Sequence, residues 1–276
     1  MTFTVASLGS GSQGNAFLVE SDTARVLIDA GFSGVKLARR LESLDVEPRS
    51  INIVVVTHEH RDHTAGIGVG ARRWGWQLAM TPATRDACTP LLRGKESWQI
   101  LCDTGISVAD LKIEPIPTSH DAVDPMAIII EHAPSGLRIG IATDLGRPTT
   151  PVRNALRECS FLILEANHDE RMLRESSYPW GVKQRIGGSG GHLSNGLAAN
   201  LAAELAHPKL GGILLAHLSH ECNNPDLAYD RVAEGLVSTS FSGILAVAGQ
   251  NKPSKRFDVC ELVRARTNGP QLSLFT

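Results

Sequence analysis

Apolar positions along this chain gather in short runs that are bounded by turn residues and rich in β-branched side chains. Residues 3–8, 16–20, 25–29, 51–57, 111–115, 127–131, 138–142, 161–165, 213–216 and 244–247 all have this form. Runs of that length and content predict buried strands rather than helices. Helix-like periodicity appears near 35–44, around 149–159 and in 195–206, the last behind a Ser194 that suits an N-cap. Strands dominate, with helices between them. The pattern predicts an α+β protein, an αββα sandwich of two sheets packed face to face with helices outside. One domain over residues 1–266 and a detached tail, 267–276, is the expected organisation. The stretch 169–191 holds no clear element and ends in Gly187-Gly188-Ser189-Gly190-Gly191, which predicts a long functional loop.

Composition narrows this only slightly. Of 276 residues, 42% are hydrophobic and 20% charged, ordinary for a soluble globular protein. A formal charge of -2 argues against holding nucleic acid by bulk positive charge, without excluding local basic patches. No run approaches the roughly 18 apolar residues of a membrane span. The start, Met1-Thr2-Phe3-Thr4-Val5, lacks a signal-peptide layout, so a cytoplasmic protein is expected. Cys88, Cys102, Cys159, Cys222 and Cys260 are scattered, odd in number and never paired as CxxC. They are expected to be mostly small core residues rather than a disulfide framework or a zinc site.

The chemistry concentrates in His58-Glu59-His60-Arg61-Asp62-His63, directly after the apolar run 51–57. Imidazoles and a carboxylate crowded at the exit of a buried strand carry a desolvation cost. A divalent cation offsets it by taking up lone pairs and negative charge together. Further candidates obey one rule: His120, Asp144 and His217 each sit where an apolar run has just ended. Asp144 also suits a helix cap or turn, and His220 competes with His217, which falls nearer its strand end. His132 and His207 show no motif and are expected at the surface. Histidine-rich ligation disfavours magnesium and calcium and suits zinc, manganese or iron.

The string HxHxDH with later His, Asp and His resembles the metallo-β-lactamase superfamily. Ser7-Leu8-Gly9-Ser10-Gly11-Ser12-Gln13-Gly14-Asn15, and Glu165-Ala166-Asn167-His168-Asp169 paired with Gly191-His192-Leu193-Ser194-Asn195, narrow the resemblance to its YycJ/WalJ-like branch. The resemblance spans nearly the whole chain and implies two divalent metal ions at the sandwich edge. One would be held by His58, His60 and His120, the other by Asp62, His63 and His217, with Asp144 between them. It also implies a nuclease in which both ions activate a hydroxide and Asp62 belongs to the catalytic set. Glu165 would orient His192 to protonate a leaving oxygen; alternatively, His192 is simply a loop residue before a helix.

Substrate contacts are less sharply marked. Ser12 and Asn15 lie in a glycine-rich loop whose N–H groups could hold a phosphate oxygen, although a tight hairpin explains the loop equally well. Asn167, His168, Arg171 and Lys183, with Arg174 and Arg185, are candidates for a polyanionic backbone. Tyr178 and Trp180 could stack on bases or anchor the loop. At the end of the chain Gln271, Leu272, Leu274 and Phe275 resemble the pentapeptide that binds the bacterial sliding clamp. A tail folded back on its own domain is the plainer alternative. The combined expectation is a metal-dependent DNA nuclease, 5′→3′ by resemblance, in replication or repair. The alternative is a small-molecule hydrolase of the same fold acting on a thioester, lactone or cyclic nucleotide.

Overall fold

The computed structural model describes residues 1–267. Its strands in chain order are β1 (Phe3–Gly9), β2 (Ala16–Ser21), β3 (Arg25–Ile28), β4 (Ile53–Val55), β5 (Gln77–Met80), β6 (Trp98–Ile100) and β7 (Ile106–Val108). There follow β8 (Leu111–Pro117), β9 (Met126–His132), β10 (Leu137–Ala142), β11 (Phe161–Glu165), β12 (Gly212–Ala216), β13 (Ile244–Val247) and β14 (Phe257–Asp258). They form two seven-stranded sheets, ordered β14-β1-β2-β3-β4-β5-β6 and β13-β12-β11-β10-β9-β8-β7.

The expected αββα layering is present, and it explains the unbroken apolar strands. In β12, Leu214 and Ala216 face the core between the sheets, while Ile213 and Leu215 face the outer helices. Both faces are covered, so neither tolerates polar residues. Helices Thr150–Leu156, Asn195–Leu205 and Pro225–Leu236 cover the second sheet. Gly34–Glu42 and Ile67–Trp74 cover the first. Ser194 caps its helix as expected, accepting from the Leu197 N–H.

Direction matters most for the site. β3 and β4 are parallel, as are β10, β11 and β12. β8 and β10 each pair antiparallel with β9, so they too run the same way. Within the second sheet, β8, β10 and β12 therefore deliver their candidate ligands to one edge, and the donor atoms that follow β4 meet them there.

Three expectations are corrected. Residues 169–191 are not a structureless loop: they contain helices Glu170–Glu175 and Trp180–Ile186. His132 is not at the surface but buried, stacked on Phe3 with ring centroids 5.1 Å apart, and close to Asp110 and Ser135. His207 is half-buried, its Nε2 3.0 Å from the Cys159 carbonyl. Among the cysteines only Cys102 is exposed; the other four are buried.

Candidate metal centre

The polar cluster lies where the C-terminal ends of β3, β4, β8, β10, β11 and β12 meet. After β4 the chain passes His58 and His60, and the helical turn Arg61–Thr64 then presents Asp62 and His63. At three other strand exits the backbone reverses sharply. Asp29, Asp144 and His217 have φ of 60°, 55° and 57°. Non-glycine residues adopt this left-handed conformation at a cost. Here it turns the side chain of each back across the sandwich edge.

Hydrogen bonds then orient the rings. His63 Nδ1 donates to Asp29 Oδ2 at 2.7 Å, His120 Nδ1 to the Gly191 carbonyl at 2.9 Å, and His217 Nδ1 to Glu165 Oε1 at 2.8 Å. His58 Nδ1 lies 3.0 Å from Thr57 Oγ1. In these four rings Nδ1 is engaged outward, leaving Nε2 for the cluster, which is how ligating imidazoles are commonly held. Asp29, absent from the sequence-derived set, also accepts from the Thr57 N–H and hydroxyl. Its signal was available: it too follows an apolar run, at the end of β3.

The cluster resolves into donor groups whose atoms lie within 4.8 Å of one another: His58, His60 and His120; Asp62, His63 and His217; and His58, His63 and Asp144. A fourth contains Asp144, Glu165, His192 and His217. The structure thus brings all seven sequence-derived ligand candidates together. These donors fit divalent cations. His58 Nε2 is buried without a hydrogen-bond partner, and Asp144 Oδ2 has no aligned donor. Such atoms are costly to bury unless something coordinates them.

Electrostatics point the same way. Burial opposes ionisation of Asp144 and Asp62, but His63 and His217 outweigh it and hold both carboxyls below the usual carboxylate range. Burial likewise opposes charge on His217 and His63. Asp144 reverses this at both, raising His217 to about 10 and His63 well above its ordinary value. Burial pushes His58 and His120 down, leaving them neutral. A proton and a cation therefore compete for the lone pairs of His63 and His217.

Glu165 lies beside this cluster, fully buried. One carboxylate oxygen accepts from His192 Nδ1 at 2.9 Å as well as from His217; the other accepts the Leu145 and Leu193 N–H groups at 2.8 and 2.9 Å. Burial would raise its carboxyl, but His192 and His217 outweigh it and set it at about 2. The Glu165–His192 contact expected from sequence is therefore present.

The substrate candidates fare differently. Asn15 is wholly buried. Its carbonyl accepts from Ser10 and the Gly11 N–H, while its amide lies against Asp62 and His63. Asn167 is buried and donates to the His217 carbonyl at 2.8 Å. Both belong to the scaffold of the cluster rather than to a surface that meets substrate. In the glycine loop most backbone N–H groups, those of Gly9, Ser10, Gly11, Gln13, Gly14 and Asn15, are engaged within the protein, as in a tight hairpin. The loop also bridges the sheets, since Ser10 Oγ accepts the His217 N–H at 2.8 Å.

Ser12 is exposed and lines a cleft of about 460 Å³ beside Asp62, with Lys36 and Arg61. Arg171 is exposed but paired with Glu175. Lys183 donates to the Arg174 and Ser176 carbonyls, closing off the preceding helix. His168 is buried and lines a second cleft, next to His192. Gln271, Leu272, Leu274 and Phe275 lie outside the described residues.

Two facing mixed sheets with this cluster on their edge define a metal-dependent hydrolase of the metallo-β-lactamase fold. The profile of the metallo-beta-lactamase superfamily matches residues 9–143. An exodeoxyribonuclease WalJ of Streptococcus pneumoniae (serotype 2, strain D39) is 33% identical over 232 residues, 82% of this chain and 86% of the relative. An exodeoxyribonuclease YycJ of Bacillus anthracis is 31% identical over 237 residues, 85% of this chain and 89% of the relative. The chain belongs to the metallo-β-lactamase superfamily and, within it, to the family of these WalJ and YycJ proteins. The crystal structure of YhfI from Bacillus subtilis shares the fold, with a TM-score of 0.69 at 18% identity, covering 92% of this chain and 99% of that one.

Proposed function

We propose that this protein is a metal-dependent exodeoxyribonuclease that removes nucleotides from DNA in the 5′→3′ direction. The observation that carries the reading is the Glu165–His192 pair at the rim of the donor cluster. The names of the WalJ and YycJ relatives support the same reaction and substrate. His58, His60 and His120 would hold one divalent ion, Asp62, His63 and His217 a second, and Asp144 would lie between them. Zinc, manganese and iron all suit such ligands. When bound, the ions supply positive charge at the scissile phosphate and acidify the attacking water.

The remaining work falls to this chain. Asp29, Gly191, Glu165 and Thr57 hold the imidazole rings, so no ligand has to reorient during turnover. His192, its Nδ1 held by Glu165, donates a proton from its other nitrogen to the leaving oxygen. The net reaction adds water across one phosphodiester, leaving a phosphate on one fragment and a hydroxyl on the other. Among the described residues no helix is long and apolar enough to cross a membrane. We place the protein in the cytoplasm, where its DNA lies.

The tail would recruit the enzyme to the sliding clamp, with Leu272, Leu274 and Phe275 as apolar anchors and Gln271 as the hydrogen-bonding group. Deleting 271–276 is expected to abolish clamp binding while leaving metal content intact; unchanged clamp binding refutes this part. The nuclease reading is tested by supplying purified protein with manganese and then zinc. Single-stranded and duplex DNA labelled at either end are offered beside a small phosphodiester, a thioester and a lactone. Progressive loss of 5′-terminal nucleotides is the expected result. Turnover of a small ester alone would replace this reading with that of a small-molecule hydrolase.

A further inference from the structure

A second cleft, of about 740 Å³, opens beside the donor cluster with His192 in its wall. That volume falls within the range of roughly 300–1,000 Å³ typical of small-molecule sites. Leu173, Leu197 and Trp180 supply apolar surface, while His168 and Lys183 contribute polar groups. Trp180 is 72% exposed and Leu197 46%. An indole left so open to water beside a catalytic cluster is available for stacking. His168, by contrast, is only 3% exposed, and its Nδ1 has no hydrogen-bond partner. A buried polar atom without a partner, in the wall of a cleft, indicates a missing polar ligand.

The cleft is also joined rigidly to the chemistry. The His192 N–H donates to the carbonyl of Ile186, the last residue of the helix that carries Trp180. Arg185 on the same helix pairs with Asp121, next to His120. Whatever occupies the cleft is thereby positioned against the residue that protonates the leaving oxygen.

We infer that this cleft binds the base of the nucleotide whose 3′ oxygen leaves, stacking it on Trp180 with its polar edge toward His168. The inference rests on the nuclease reading above. In 5′→3′ digestion that nucleotide is the terminal one, released with a free 3′-hydroxyl after water has attacked phosphorus and the P–O3′ bond has broken. The stacking surface of Trp180 and the unpartnered His168 nitrogen suit an aromatic base; the Lys183 ammonium already donates to two carbonyls, and Arg174 in the same wall is left to meet the adjoining phosphate.

The test uses full-length protein and oligonucleotides with one abasic residue on either side of a defined scissile bond. An abasic residue on the 3′-oxygen side is expected to raise KM roughly ten- to hundredfold, the scale of one lost base–aromatic stack. One on the phosphate side is expected to leave KM unchanged. Trp180→Ala should raise KM for intact DNA similarly and show no further abasic penalty. Separately, titrating metal-free protein with deoxyadenosine monophosphate should quench tryptophan fluorescence, and Trp180→Phe should lose the quench. Equal KM values for intact and abasic DNA, or a quench that survives in Trp180→Phe, overturn the inference while leaving the nuclease reading intact. Failure of wild-type protein to cut any DNA removes the nuclease reading, and with it the assignment of this cleft to a leaving nucleotide, even if the quench is seen.

Discussion

Replacing Glu165 by glutamine keeps the side-chain volume and removes its charge. In the native protein one carboxylate oxygen serves two imidazole donors, His192 and His217, and the other serves two backbone donors, Leu145 and Leu193. A glutamine carbonyl can serve only one of these pairs, and its NH₂ then faces the other pair of buried donors. Each donor left unpaired costs about 1–3 kcal/mol, so the variant should lose about 2–6 kcal/mol of stability. Moving the imidazole protons away from Nδ1 relieves that cost but creates another. The His217 proton would then sit on Nε2, which faces Asp62 and the cluster, and metal affinity should fall about 10–100-fold. Disorientation of His192 should lower kcat about 10²–10⁴-fold, with a much smaller effect on KM. Thermal unfolding of metal-free protein, competition with a chromophoric chelator and steady-state DNA hydrolysis read the three effects separately. His192→Ala is the control, expected to lose kcat while keeping metal. Native stability and a kcat within about threefold of wild type in Glu165→Gln would refute this account of the pair, because general acid–base assistance is worth far more.

Further outcomes follow from the same geometry. His217, raised to about 10, and His63, also raised, carry protons at neutral pH. Metal must displace those protons, so affinity should rise with pH through the neutral range; chelator competition that gives the same affinity at about pH 6 and 8 contradicts this. Glu165, with its carboxyl lowered to about 2 from 4.5, should contribute stability that is complete above about pH 4.5 and lost as pH falls toward 2. Denaturant titrations of metal-free protein should show that loss, and Glu165→Gln should show less of it; identical pH profiles for the two proteins count against it. Asp29→Ala leaves the His63 Nδ1–H and the Thr57 N–H buried without acceptors. It should cost about 2–6 kcal/mol and weaken metal binding, and unchanged metal stoichiometry and melting temperature would contradict the positioning role. Gly31→Ala places a methyl 1.7 Å from the Asp62 carbonyl oxygen, where only backbone can give way. The expected loss is about 3 kcal/mol or more, with reduced metal content; a native-like melting curve would contradict this.

The sequence by itself determined the class of fold and the candidate donor set. Unbroken apolar strands and a burst of imidazole at a strand exit are local facts that burial makes costly to arrange otherwise. The rule that ligands follow apolar runs located His120, Asp144 and His217, because parallel strands deliver their C-terminal ends to one edge. Asp29 obeys the same rule, but that it holds His63 rather than joining the donor groups follows only from the tertiary pairing of β3 with β4. Helix Ile67–Trp74 was hidden by its glycines, yet Gly70 is small because the Trp76 ring lies against it. Tertiary structure alone decided which polar residues are scaffold and which face a ligand. Asn15 and Asn167 looked like substrate contacts but are used up inside, whereas His168 keeps a nitrogen unpaired beside a cleft. Hydrogen-bond partners that lie far apart along the chain meet only after the two sheets close, and no local pattern records which donor will find which acceptor.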